Sequence, residues 1–149
     1  LERDVYGGGG IMPDIFVPLD TSEITPLYKS LSRKGIINTF TFNYVDKHRE
    51  ELNKKYPTYD AYKENFVTED EVMDDFWKYA MEQDSIQLNA EDYEISKQLI
   101  TTLIKARMAS DLWDNSKFYP IYNAKENEIY MRALELIEGN TIKKLGLDY

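Results

Sequence analysis

The sequence holds few groups that could carry catalytic chemistry. His48 is the only histidine, and an imidazole can act as a general base near neutral pH. It falls, however, on the apolar face of its predicted helix, between Tyr44 and Leu52. A histidine in that position usually packs in a core or an interface, so we assign His48 no catalytic role.

Nucleophilic catalysis has no recognisable motif in this chain. Neither a Gly-x-Ser-x-Gly elbow nor a Ser-x-x-Lys pair occurs. Ser96 and Lys97 are adjacent, as are Ser116 and Lys117, and adjacent side chains of a helix do not face each other. We therefore predict no catalytic residue.

Carboxylates are concentrated between residues 69 and 94, where ten of them accompany Lys78 alone among the basic residues. A pair of carboxylates can divide acid and base roles if the two groups converge on one substrate. Asp74 and Asp75 do not converge, because helical neighbours point roughly 100° apart. This stretch is therefore interpreted as a solvated face.

Composition excludes several kinds of ligand. One histidine and no cysteine are too few for a zinc site, and no Asp-x-Asp-x-Asp-Gly calcium loop occurs, so we predict no metal and no cofactor.

Residues 7–10 are four glycines, but no Gly-Lys-Ser/Thr follows them as in a phosphate-binding loop. The net charge of −9 argues against a nucleic-acid partner. No apolar run approaches the roughly 20 residues of a membrane span.

The elements that would position these residues are helical. Glycines and prolines in residues 5–20 favour an extended segment, and helical patterns begin at Thr21. The first predicted helix is residues 23–34, with a Thr21/Ser22 cap and an end at Gly35. A later one runs from the Thr68–Glu71 capping box to residue 82. The other predicted helices are residues 36–55, 89–113 and 125–138. We expect a mainly α fold, a bundle of about five helices after a short Gly-rich segment, with domains at residues 1–20 and 21–149.

Three of these assignments depend on particular residues. Residues 36–55 alternate in part like a strand, and their length decides for a helix. The helix after Asn89 is expected to be central, with Ile95, Leu99, Leu103 and Met108 on its buried stripe. Pro120 is unfavourable inside a helix, so the last helix is placed after it.

Residues 58–67 form an aromatic connection with a turn and a short helix. Tyr59, Tyr62 and Phe66 lie in it. The chain has twelve tyrosines, and tyrosine, with its polar tip, suits contact surfaces as well as cores. These three residues could therefore form an interaction surface, or they could fill the core.

Just after Arg3, residues 5–15 read Val-Tyr-Gly-Gly-Gly-Gly-Ile-Met-Pro-Asp-Ile. This segment resembles the Gly-Ile-x-Pro-Asp strand of the carboxy-terminal processing (tail-specific) serine peptidases. Residues 40–45, with His48 and Arg49, resemble members that carry a helical appendage. Glu2 stands where the family pattern has a glycine before the arginine.

The resemblance implies that the intact protein is a serine endopeptidase of the periplasm or cell envelope, with a Ser/Lys dyad and no cofactor. The dyad lies on the amino-terminal side of the strand in the family, so the present chain is expected to be inactive. Residues 1–20 would be a terminal strand of the peptidase core, and residues 21–149 a helical domain that packs on that core and shapes substrate access or assembly. Its partners would be that core and the protein or peptide substrates of the parent. Residues 5–17, left without their sheet neighbours, would pair with the bundle or with a second copy. The alternative is a module that recruits a substrate or adaptor through Tyr59, Tyr62 and Phe66.

Overall fold

The structure is a bundle of helices. The computed structural model describes residues 15–82 and 86–139. Over these ranges the chain forms α-helices and a 3₁₀ turn at Asn115–Lys117, and no strand. The helices are α1 (Pro26–Arg33), α2 (Ile36–Lys55), α3 (Tyr59–Asn65), α4 (Thr68–Glu71), α5 (Met73–Glu82), α6 (Ala90–Leu112), α7 (Phe118–Glu126) and α8 (Glu128–Glu138). The predicted mainly α fold class is confirmed. The Gly-rich residues 7–10 lie outside the described residues.

Helix α6 is the centre of the bundle, as predicted. Helices α1, α2 and α7 all pack against it. Its buried side chains are Ser96, Leu99, Ile100, Thr101, Thr102, Ile104, Ala106, Met108, Ala109 and Leu112. They occupy more than one face because neighbours enclose the helix on several sides. Asn89 caps it as predicted, its Oδ1 accepting from the Asp92 amide at 3.1 Å.

Ile95 does not belong to the buried stripe on which the sequence pattern placed it. Its side chain is exposed, and the next residue, Ser96, is fully buried. The Ser96 hydroxyl lies 2.6 Å from the Thr25 hydroxyl, so α1 meets α6 at Ser96. A hydrogen bond to α1 thus sets which side of this turn faces inward.

Helix α2 has the predicted bounds, and Gly35 marks its beginning. Gly35 has φ of +66°, the left-handed conformation that favours glycine. This residue ends α1 and lets the chain turn directly into α2. The apolar side chains Ile37, Phe40 and Val45 are buried against the rest of the bundle.

Helix α1 begins later than predicted. The cap is Thr25 and not Thr21 or Ser22, with Thr25 Oγ1 accepting from the Tyr28 amide at 3.2 Å. Pro26 occupies the first helical position, where its fixed φ suits a helix and its missing amide proton costs nothing. The Thr-Pro pair is thus the correct start signal.

The Thr68 capping box does not form. Thr68 is buried inside the short helix α4, and its hydroxyl donates to the Thr101 carbonyl oxygen at 3.1 Å. Since the hydroxyl is used to join α4 to α6, it cannot cap. The predicted single helix is consequently two helices, α4 and α5, which meet at Val72.

The last helix, α8, begins after Pro120 as predicted, but Pro120 itself lies inside an additional helix, α7, that the sequence pattern did not predict. It is the third residue of that helix, and a first-turn amide has no partner within the helix. Asn127 then caps α8 by accepting from the Tyr130 amide at 2.9 Å. Among the described helices, none has both the length and the apolarity needed to cross a membrane.

Candidate interaction surface

The aromatic connection packs into the bundle. Tyr62 is 0% exposed and Phe66 1% exposed, and Tyr59 is half-buried. The rings of Tyr62 and Phe66 stack with centroids 4.6 Å apart. The Tyr62 hydroxyl donates to the Lys105 carbonyl oxygen at 3.0 Å. Two of the three residues proposed as an interaction surface are therefore core residues, and only part of the Tyr59 ring reaches the surface.

Lys105 fastens this connection to α6. Its Nζ donates to the carbonyl oxygens of Lys63 at 2.8 Å and Phe66 at 2.7 Å. These carbonyls belong to the C-terminal end of α3, where backbone acceptors lack helical partners. Burial, helped by the nearby Lys125 charge, lowers the Lys105 pKa below its ordinary value. A lysine with a lowered pKa can be a catalytic base, but this ammonium group is engaged as an anchor.

His48 contacts two side chains of its own helix, α2. The His48 ring stacks on Tyr44 with centroids 4.5 Å apart, and its Nδ1 lies 3.4 Å from a Glu51 carboxylate oxygen. No serine or threonine hydroxyl takes part in these contacts. His48 therefore sits as the sequence pattern indicated, in a packed position.

Glu71 joins α4 to the end of α2. Lys55 Nζ lies 2.6 Å from its Oε1, and the Tyr56 hydroxyl donates to the same oxygen at 2.9 Å. Burial alone would raise the Glu71 pKa, but the hydrogen bonds from Lys55 and Tyr56 outweigh it and lower that pKa. A carboxylate held ionised in this way stabilises the fold and is a weak base.

The described residues do not assemble a metal centre. Within residues 15–82 and 86–139, no three His, Asp or Glu side chains come together as ligands would. The polar groups described above serve to tie helices to one another. The structural feature that lacks such an explanation is an exposed apolar surface.

That surface lies on α8. The helix is amphipathic and has no buried residue. Ile129 is 53% exposed and Ile137 is 59% exposed, and Tyr130 between them is exposed as well. We call these three residues, with the half-buried Leu134 and Leu136 beside them, the α8 face. At 100° per residue they share one side of the helix, opposite Glu128, Arg132 and Glu135.

One residue of the α8 face, Ile129, borders a groove that reaches the segment entering α1. Leu19 and Pro18 line one side of a cavity of about 410 Å³, and Ile129 and Asn127 line the other. Phe16 and Leu19 are themselves highly exposed. Apolar side chains from residues 15–20 and from α8 thus border one continuous depression.

The sequence pattern predicted the helix but not its exposure. Residues 125–138 were recognised as helical, and Ile129, Ala133 and Ile137 recur at the helical spacing. That spacing identifies an apolar face without saying what covers it. The exposure follows from where α8 lies in the bundle, which the sequence pattern does not give. Helix α8 has described contacts chiefly with α7, so its apolar face meets little of the bundle.

Comparison with known proteins gives one family. A model described as "Family of unknown function (DUF8443)" matches residues 27–114, which is more than half of the chain. These residues run from α1 to just after α6 and include the central helix. No curated protein and no solved structure matches the chain.

Proposed function

The chain belongs to DUF8443, a family of unknown function, and we propose that it is a non-catalytic helical domain that docks through the α8 face onto the core of a carboxy-terminal processing serine endopeptidase. In that role it shapes substrate access or assembly of the intact enzyme. Proteolysis of protein or peptide substrates belongs to the enzyme's core, and the envelope location implied by the family resemblance is part of the same proposal.

The exposed α8 face is the observation that carries this proposal. Ile129, Tyr130 and Ile137 lie side by side on one helix and are all exposed. Contiguous exposed apolar groups, here with Glu128, Arg132 and Glu135 on the opposite side of the helix, are typical of contact sites. A helix of this kind is stabilised when a partner covers its apolar side.

The choice of the peptidase core as the partner that covers the α8 face depends on the segment before α1. Residues 5–15 resemble a strand of that core, and residues 15–20 border the same groove as Ile129. A strand placed in the peptidase sheet would therefore bring the α8 face close to the sheet. The covering surface would belong to the same protein, which keeps the cost of association low.

The way the described polar groups are used supports a role outside chemistry. Lys105, Glu71 and Ser96 each bond to another element of the bundle. None of them is presented with a base or nucleophile beside it in the manner of a dyad. In this proposal the domain acts on proteolysis through contact.

A peptide-cleavage assay tests the function. It compares this chain, the longer natural protein, and the longer protein carrying Ile129→Asp and Ile137→Asp. We expect no cleavage by the chain, cleavage by the longer protein, and altered kcat/KM in the double variant. Cleavage by the chain alone, or a natural protein that has no peptidase activity, would refute the proposal. Lys47→Asp, an exposed change on α2, is the matched control.

A further inference from the structure

The groove between α8 and the segment before α1 carries charge as well as apolar surface. Its volume of about 410 Å³ lies within the usual range of ligand pockets. Leu99 and Ile24 are among its apolar lining residues, and the half-buried tyrosines Tyr28 and Tyr122 line it too. The charged residues of the lining are Asp20, Glu23, Lys125 and Glu128.

Two of the acidic residues lie on opposite sides of the groove. Asp20 belongs to the segment before α1, and Glu128 is the first residue of α8. Both side chains are exposed, so a group that enters the groove can reach them. Neither carboxylate belongs to any of the described ion pairs, which are His48–Glu51, Lys55–Glu71 and Arg132–Glu135.

The Asp20 carboxylate can accept a further hydrogen bond. Its Oδ1 accepts from the Ser22 amide at 2.8 Å, and this bond lowers the Asp20 pKa below its ordinary value. The group is therefore ionised at neutral pH. Its second oxygen is an acceptor that a donor from a partner can use.

Lys125 offsets only part of the negative charge of the groove. It also lines another cleft, together with Lys63 and Lys105, and its charge helps to lower the Lys105 pKa. One lysine stands against three acidic residues in the groove. The net charge of −9 on the whole chain adds to the same field. A cation is therefore attracted to the groove, and an anion is repelled.

We propose that the groove binds a lysine or arginine side chain of the protein that covers the α8 face, with the charged end between Asp20 and Glu128 and the stem against Leu99. This inference rests on the proposed function, because it names the chemistry of the partner surface next to Ile129. A basic side chain suits the groove because its methylene stem packs on apolar surface while its charged end reaches the carboxylates. An apolar neighbour in the partner would contact Leu19 and Ile129 at the edges.

Titration of the full chain with an acetylated and amidated Leu-Lys-Leu peptide, followed by ¹H–¹⁵N NMR at constant ionic strength, tests the groove. We expect saturable shifts of the amides that line it. The matching peptide with norleucine keeps an apolar stem without the charge, and it should bind about fivefold more weakly, since exposed ion pairs contribute modestly. Leu-Glu-Leu should give no saturable shift, because its charge is repelled.

Asp20→Asn combined with Glu128→Gln removes both charges and keeps the side-chain shapes. Asparagine retains an oxygen for the Ser22 amide, and both positions are exposed, so the circular dichroism melting temperature should change little. The lysine peptide should bind this double variant no more tightly than the norleucine peptide binds the wild type. Asp46→Asn with Glu50→Gln, at exposed positions of α2, makes the same change in net charge and should bind like the wild type.

Three results would overturn the inference. They are equal affinities of the lysine and norleucine peptides for the wild type, unchanged lysine-peptide binding by the Asp20/Glu128 double variant, and no saturable shift up to about 20 mM peptide. Each of them leaves the proposed function standing if the α8 variants still alter kcat/KM. Specific binding of the lysine peptide, together with an intact protein that has no peptidase activity, would refute the proposed function and support the groove.

Discussion

The Lys105 ammonium group lies 2.7 Å from the carbonyl oxygen of Phe66, within hydrogen-bonding distance. This contact ties the end of α3 to the central helix α6 and closes the aromatic connection over the core. The contact adds a polar anchor to a segment whose Tyr62 and Phe66 side chains are buried in the core. A lysine on one helix thus helps to hold a segment about 40 residues earlier.

Lys105→Met should destabilise the protein. The change keeps the apolar stem but leaves the carbonyl oxygens of Lys63 and Phe66 without their donor. We expect a loss of about 1–3 kcal/mol in the free energy of unfolding, measured with urea. Lys47→Met, on an exposed part of α2, is the control. Equal stability of the two variants would mean that the anchor contributes nothing.

Ser96→Ala should loosen α1 from α6. The buried Ser96 hydroxyl donates to the Glu23 carbonyl oxygen at 2.6 Å and lies 2.6 Å from the Thr25 hydroxyl. Its removal leaves buried polar groups unpaired, at an expected cost of about 1–3 kcal/mol. A double-mutant cycle with Thr25→Val should give a coupling energy above about 0.5 kcal/mol. Strictly additive losses would show that the two hydroxyls act independently.

Glu71→Gln should change how stability depends on pH. Glu71 has its pKa lowered from 4.5 in the folded protein, so the unfolded chain binds more protons in acid. The resulting stabilisation is present above pH 4.5 and is lost as the pH falls through the folded-state pKa. The wild type should therefore exceed the variant in stability at pH 7, and the gap should narrow below pH 4.5. Glu69→Gln is the control, and a gap that does not depend on pH would contradict the assignment.

Pro120→Ala and Ala124→Pro test the start of α7. Pro120 occupies the first turn of this helix, so its replacement should change stability by less than about 0.5 kcal/mol. Ala124 lies in the same helix beyond its first turn, and proline there should cost about 3 kcal/mol. Thermal unfolding of both variants measures the contrast. Equal effects would contradict the position of Pro120 in the first turn of α7.

Local signals predicted the parts of the fold that local chemistry controls. The bounds of α2 follow from the glycine before it and the Tyr-Pro pair after it. The start of α6 follows from the Asn89 side chain, which caps the helix by itself. In these cases the residues that decide the structure lie within one turn of the boundary.

Distant contacts explain the failures. The Thr68 hydroxyl bonds to Thr101, 33 residues away, and not to the amide three residues on. The buried Tyr62 hydroxyl donates to the backbone carbonyl oxygen of Lys105, a partner that no sequence period connects to it. The α8 face was a recognisable stripe, but whether a stripe is covered depends on the assembled bundle.

Photo-crosslinking from the α8 face tests the docking claim most directly. p-Benzoylphenylalanine would replace Ile137 in the proposed intact peptidase, with Lys47 as the exposed control position on α2. We expect an intramolecular cross-link from position 137 to the peptidase core, mapped by mass spectrometry, and none from position 47. Cross-links from position 137 to a second copy only, or none above the control, would contradict docking onto the core.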